Sequence, residues 1–187
     1  MASHLQTLYA ACVFIGAAGA ASAAGAADSG YIGADYGMAR YGGRAYVGYA
    51  LGREPVFDTE TTHYLELMGY SLGYYGEPYA NYGQSAFRDF VRVNGVAINW
   101  ATSTRISDKW SANTRVGVNV IHAKTYGAEG EQVRTWDNVS GLAGAGLAYA
   151  VDRHWTIRAD VNYMPLKVRG NASPRTNGVT TGLDYKF

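Results

Sequence analysis

The residues of this chain that could do chemistry are few and poorly matched to one another. A hydrolytic serine on a strand needs a histidine two positions away on the same face and a carboxylate to orient the ring. His63 is followed by Tyr64-Leu65, His122 by Ala123-Lys124, and His154 sits in the turn Asp152-Arg153-His154. None fits, and no enzyme is expected. The segment GAGLAYA (144–150) has the glycines of a phosphate loop, but it lies on an alternating strand with no helix after it. The acidic residues and histidines show neither zinc nor calcium-loop spacing, so no metal or cofactor is expected. What remains is a set of charges at alternating positions: Asp35, Arg115, Arg158, Asp160, Asp184 and Lys186. They are expected to pair with one another in an enclosed interior. The competing reading is that they line a narrow pore.

The elements that must position these charges alternate with period two, the pattern of a strand with two unlike faces. No window from residue 28 onward sustains helical periodicity. In GYIGADYGM, Ile32, Ala34, Tyr36 and Met38 oppose Gly33, Asp35 and Gly37. In RAYVGYALG, Ala45, Val47, Tyr49 and Leu51 oppose Arg44, Tyr46, Gly48 and Ala50. In WSANTRVGVNVIHA, Val116, Val118 and Val120 oppose Arg115, Gly117 and Asn119. WTIRADVNYM sets Trp155, Ile157, Ala159, Val161 and Tyr163 against Arg158, Asp160 and Asn162, and GVTTGLDYKF sets Val179, Leu183, Tyr185 and Phe187 against Asp184 and Lys186. With HYLELMGYSLGYY, FRDFVRVNGVAINWA and NVSGLAGAGLAYAV, about eight such runs are present. Each is near the roughly 9–11 residues that cross a bilayer as a tilted strand.

Two runs resist a simple assignment. Val91 and Val93 favour one face while Val96, Ile98 and Trp100 favour the other, which predicts a β-bulge near Asn94-Gly95. In Leu65-Glu66-Leu67-Met68-Gly69-Tyr70, either Tyr64, Met68, Tyr70, Leu72 and Tyr74 face lipid or a bulge absorbs one residue, so the direction of Glu66 stays open. The connections at 103–109 and 152–154 are short, those at 76–86 and 127–135 are longer and polar, and 53–62 is long for a turn.

Which face is apolar decides the class. A soluble β-sandwich, the competing architecture, would bury the apolar faces and expose the charged ones. In a small closed barrel the faces carrying Arg115, Arg158, Asp160 and Asp184 hold too much charge for a dry interior. A narrow polar lumen suits them, and the valines, leucines and aromatics then meet lipid. The expected fold is all-β, an eight-stranded antiparallel up-and-down transmembrane barrel with a polar lumen. Trp100, Trp110 and Trp155 are expected at one bilayer interface with Tyr185, and Trp136 at the other. Charged residues are 17% of the chain and the net charge is +1, which gives no reason to expect nucleic acid.

Residues 1–26 differ in kind. LYAACVFIGAAGAASAAGAA (8–27) is uncharged and rich in Ala, and Ala21-Ser22-Ala23 and Ala24-Gly25-Ala26 both fit a signal-peptide cleavage pattern. A cleaved secretory leader is expected over 1–26 and a barrel over 27–187, with a retained anchor as the competing reading. The single cysteine, Cys12, lies in the leader, so the mature barrel would have neither a disulfide nor a thiol nucleophile.

YVGYALG, LELMGYSLG, GLAGAGLAYAVDRHWTIRADVNY and GLDYKF together resemble the small eight-stranded OmpA-type membrane domains and the related opacity-protein group. The succession from Gly144 to Tyr163 carries the resemblance most specifically, and it covers the mature chain. It implies a bacterial outer-membrane protein, monomeric, surrounded by outer-membrane lipids and lipopolysaccharide. It also implies assembly by the barrel-assembly machinery, for which Tyr185 and the terminal Phe187 resemble the signal. The implied function is a structural and surface-interaction barrel whose loops contact host or environmental partners. A small-solute channel and a lipid-A-modifying enzyme are the alternatives.

Overall fold

A computed structural model describes residues 29–38, 42–56, 58–76, 90–126, 132–165 and 178–187. The leader 1–26 and the greater part of the outer connections lie outside the described residues. Eight strands follow in chain order: β1 (Gly30–Met38), β2 (Gly42–Val56), β3 (Thr59–Gly76), β4 (Phe90–Arg105), β5 (Trp110–Tyr126), β6 (Gln132–Ala150), β7 (Trp155–Tyr163) and β8 (Gly178–Lys186). Each pairs antiparallel with its sequence neighbour, and β1 pairs with β8 to close the barrel. Closure satisfies every strand edge, which a sheet surrounded by hydrocarbon requires.

The period-two pattern becomes two surfaces. Along β7, inward residues are buried and outward residues exposed without exception. Val116, Val118, Val120, Val139, Ile157, Val161 and Val179 all project outward, Val139 at 63% exposure, and form a continuous apolar belt. In water such a belt would be an aggregation surface. Against acyl chains it is the natural exterior.

Four irregularities in the ladder set the local register. One lies between Tyr36 and Met38, where Gly37 takes φ 122°. The others lie between Ala50 and Gly52, between Leu72 and Tyr75, and next to Thr125 and Tyr126. The bulge expected at Asn94-Gly95 is absent. β4 pairs regularly with β5 from Phe90 to Arg105, and Asn94 and Gly95 pair without a shift against Ser71 and Tyr70 of β3. The conflict that predicted it resolves differently: Val93 points inward and is buried, while Val96 points outward. The lumen has an apolar region, so an inward valine needs no correction of register.

β3 behaves likewise. Leu65 and Leu67 face outward, and Glu66, Met68 and Tyr70 are buried inside, so neither Met68 nor Tyr70 faces lipid. The extra residue of β3 is taken up later, between Leu72 and Tyr75. Segment 53–62 is not a long turn but the tip of a ladder: Arg53 to Pro55 pair with Thr62 to Glu60, and Val56 pairs with Thr59. Asp58 closes this hairpin with φ 62°, a conformation that Asp tolerates better than most residues. The polar stretch 127–135 likewise contains the start of β6 at Gln132.

Candidate functional site

Alternation places one or two inward residues from each of six strands at mid-height of the lumen. β1 contributes Asp35, β2 Arg44 and Tyr46, β3 Glu66, β5 Arg115, β7 Arg158 and Asp160, and β8 Asp184. All are buried, Glu66 completely. Arg44 grips Asp35 by two hydrogen bonds, Nε to Oδ1 at 2.7 Å and Nη2 to Oδ2, and Nη2 also donates to Thr180 Oγ1 at 2.8 Å. Arg158 holds Asp160 through Nε at 2.8 Å and Nη2 at 2.7 Å, and reaches Asp184 with Nη1 at 3.3 Å. Arg115 Nη2 pairs with Glu66 Oε2 at 3.0 Å.

Asp160 is the hub. Its Oδ2 lies 3.9 Å from Arg44 and 3.8 Å from Arg115, in addition to its close contact with Arg158. The tyrosines complete the arrangement. Tyr31 donates to Glu66 and Tyr46 to Asp184, each at 2.7 Å, and Asn99 donates to Glu66 Oε1 at 2.8 Å. Two guanidinium groups approach the Tyr46 ring, that of Arg115 at 5.1 Å and that of Arg158 at 5.0 Å from its centroid. Such contacts between cation and ring face are favourable and strengthen on desolvation. Gly33 makes room: a Cβ there would strike Asp184 Oδ1 and the Tyr46 ring.

A buried ion pair is tolerable only when its geometry is good and its remaining valences are met. Three arginines here share four carboxylates, and two tyrosine hydroxyls and an amide satisfy most of what is left. Arg44 Nη1, Arg115 Nε and Nη1, and Asn162 Oδ1 have no hydrogen-bond partner among the described residues and are the places for ordered water. Below the network, at the end that carries the short turns, a cavity of about 30 Å³ is lined by Tyr31, Thr156, Arg158, Asp184 and Lys186, among others, and has room for about one water.

Of the six charges singled out in the sequence, the fold brings five together: Asp35, Arg115, Arg158, Asp160 and Asp184. Lys186 does not join them. It lies at the mouth of the cavity and makes no ion pair among the described residues. Arg158 and Asp184 pair diagonally across the ladder, since Thr156 stands opposite Asp184 and Gly182 opposite Arg158. Arg44 and Glu66 were missed as members. Their signals were present: Arg44 shares the face of Tyr46, and Leu-Glu-Leu at 65–67 is itself an alternation that turns the acid inward.

The interface aromatics divide. Trp110 packs edge-to-face on Tyr149 at 5.1 Å, and Trp155 on Tyr185 at 5.1 Å, both at the end with the short turns. Trp100 does not share that level. It stands opposite Val116, six ladder steps from Trp110 (116 − 110 = 6), and donates to His63 Nδ1 at 3.2 Å. The reason is that β4 continues five residues beyond Trp100, to Arg105. Trp136 stands opposite Ala123 toward the other end of β6, and its side chain lies outside the described residues. Phe187 donates its N–H to Gly30 O at 3.2 Å and accepts from Ser29 N at 3.1 Å.

Comparison with known proteins agrees with this architecture. The chain is 28% identical over 129 residues to outer membrane protein A of Serratia marcescens; the match covers 65% of this chain but only 36% of that protein's length. Among solved structures, Neisserial surface protein A is similar with a TM-score of 0.58 at 15% identity, over 87% of this chain and 99% of that one. The N-terminal β-barrel domain of Pseudomonas aeruginosa OprF gives 0.57 at 11% identity, over 87% and 100%. The attachment invasion locus protein Ail of Yersinia pestis, solved with the heparin analogue sucrose octasulfate, gives 0.51 at 15%, over 85% and 97%. At these identities the likeness is one of fold. The model of the OmpA-like transmembrane domain matches residues 13–187, and with the closed eight-stranded barrel and its apolar belt this makes the chain a member of the OmpA-like transmembrane domain family, a bacterial outer-membrane protein.

Proposed function

We propose that this barrel is a closed scaffold that carries its outer connections at the cell surface, where they meet host or environmental partners, and that it has no catalytic role. The observation that carries this reading is the buried network around Asp160, in which charges from six strands meet across the lumen at mid-height. An eight-stranded barrel is about as wide as its side chains can fill, and here they are locked to one another. The surface role draws on the fold shared with Ail, whose structure holds a heparin analogue, and with a neisserial surface protein. The absence of catalysis draws on the histidines. His122 lies on Asp137, His63 beside Trp100 and His154 against Tyr185, each outside the lumen and none bonded to a serine.

The test is conductance of the refolded protein in planar bilayers, beside binding of cells or sulfated polysaccharide to the folded barrel. The expected result is little or no steady conductance in wild type, with binding lost when the outer connections are shortened. Large, stable conductance in wild type would instead favour the channel reading. Release of acyl chains from lipid A would favour the enzyme.

A further inference from the structure

We propose that Arg92 of β4 and Lys124 of β5 form a binding site on the barrel's outer wall for the phosphate of an outer-leaflet lipid. The two residues are direct cross-strand partners. Their neighbours Val93 and Ala123 are buried in the lumen, so alternation turns both cations outward. Like charges directly opposite each other on one sheet face repel, and nothing among the described residues offsets them. Neither cation makes an ion pair or hydrogen bond there, and Arg92 Nε is buried without a partner. Among the described residues the nearest carboxylate on that face, Asp137, is two ladder steps lower and is engaged by His122 at 2.6 Å. A cation pair held in place and left unmatched fits an anion that comes from outside the chain.

Its height on the wall selects the anion. Moving down β4 and β5 on the same face, Arg92/Lys124 are followed by Asn94/His122, then Val96/Val120, Ile98/Val118 and Trp100/Val116. The order is cation, polar, then apolar belt, the sequence met on passing from lipid headgroups into hydrocarbon. From residue 92 to 100 is eight steps, about 26 Å along the strand and about 20 Å along the axis of a tilted barrel. Trp100 itself stands above the inner rim that Trp110 marks, so this distance reaches past the outer edge of an apolar band about 25 Å tall. With the short turns at the inner side, the pair lies at the level of the outer headgroups. A phosphate there would take the guanidinium fork of Arg92 and the point charge of Lys124 together.

The test uses full-length refolded barrel and native mass spectrometry, with lipid A carrying its phosphates and lipid A with them removed. Wild type should retain the phosphorylated form about 30-fold better, at roughly fivefold per cation. Arg92→Gln/Lys124→Gln should lose that preference, while Lys109→Gln/Arg153→Gln, at the other rim, should keep it. Equal retention of the two lipids by wild type, or an undiminished preference in the outer-rim double variant, would overturn the proposal. Competition by inorganic phosphate at the same concentration would overturn the assignment to a lipid. If the double variant gives no heat-modifiable folded band, Arg92→Lys and a salt titration of wild type replace it. The preference should survive that exchange and weaken with salt, and a salt-insensitive preference would refute the site.

Discussion

The two sides of the lumen are built on opposite principles. The arc formed by β7, β8, β1 and β2 fills its share of the interior with charge: Arg158 and Asp160, Asp184, Asp35, and Arg44. The arc formed by β3 to β6 contributes only Glu66 and Arg115 to the charges and fills the outer half of its share with Met68, Tyr70, Val93, Ala97, Ile121, Ala123 and Leu142, which cluster with one another and with Tyr31, Tyr46 and Met164 of the other arc. The ionic arc includes the three shortest strands, nine residues each, and the apolar arc the longest, of 16 to 19 residues. A charge needs named partners at fixed distances, so the ionic arc specifies its geometry. A hydrophobic contact is indifferent to direction, so the apolar arc specifies volume. The same barrel thus combines a precise half and a tolerant half.

The largest effect should come from breaking the ionic arc. Arg158→Ala leaves Asp160 and Asp184 without their closest cation and should cost about 3–5 kcal/mol in reversible unfolding in defined lipid. The same variant should raise single-channel conductance if the network is what closes the lumen. A volume change in the other arc should cost less and be graded: Ile121→Ala should lose about 2–4 kcal/mol, and Ile121→Leu under about 1.5 kcal/mol. A matched loss for Arg158→Ala and Arg158→Lys would sharpen the contrast, since it would show that geometry and not charge alone matters in the ionic arc.

Outside the lumen the same chemistry should count for little. Arg53 and Glu60 pair at 3.2 Å, but each side chain is about half exposed, 49% and 48%. A double-mutant cycle on Arg53→Ala and Glu60→Ala should return about 0.2–1 kcal/mol and vanish in high salt. Asp152 should show the smallest effect and a characteristic pH dependence. In the β6–β7 turn its Oδ1 accepts the backbone N–H groups of His154 and Trp155, each at 2.8 Å, and these bonds hold its carboxyl below the usual range. A carboxyl lowered by folding stabilises above its unfolded value and loses that contribution as pH falls through its folded value. The stability difference between wild type and Asp152→Asn should therefore be present at neutral pH and disappear in acid; a constant difference would refute it.

Period two made the fold legible: the inward and outward faces of β1 as far as Tyr36, and of β2, β5, β7 and β8, follow from it. It also exposed five of the seven charged members of the lumen network. What it could not supply is where the interior changes from ionic to apolar. Val93 is on the wrong face only for a uniformly polar lumen, and a bulge at Asn94-Gly95 is required only in such a lumen. Glu66 was ambiguous for the same reason, since an inward Met68 and Tyr70 seemed to contradict it. Trp100 was placed by its distance from a presumed strand end, and no local signal marks how far β4 continues. The hairpin through Asp58 was hidden because polar residues form ladders beyond the membrane as readily as loops.

The seam that closes the barrel has a consequence for the order of folding. β1 and β8, the two strands farthest apart in sequence, meet over six residue pairs, and each brings a carboxylate into the lumen. Asp35 stands opposite Gly182 and Asp184 opposite Gly33, so neither acid finds a counter-charge directly across the seam. The cations that reconcile them come from the strands behind, Arg44 from β2 and Arg158 from β7. Closure of so non-local a contact is expected to be late. If so, the hairpins β1–β2 and β7–β8 must form first and carry their arginines to the seam as built-in counterions. Cysteines at Ala34 and Leu183, outward partners across the seam, should therefore crosslink more slowly during refolding of Arg44→Gln than of wild type; equal rates would mean that the two acids close without waiting for the guanidinium groups.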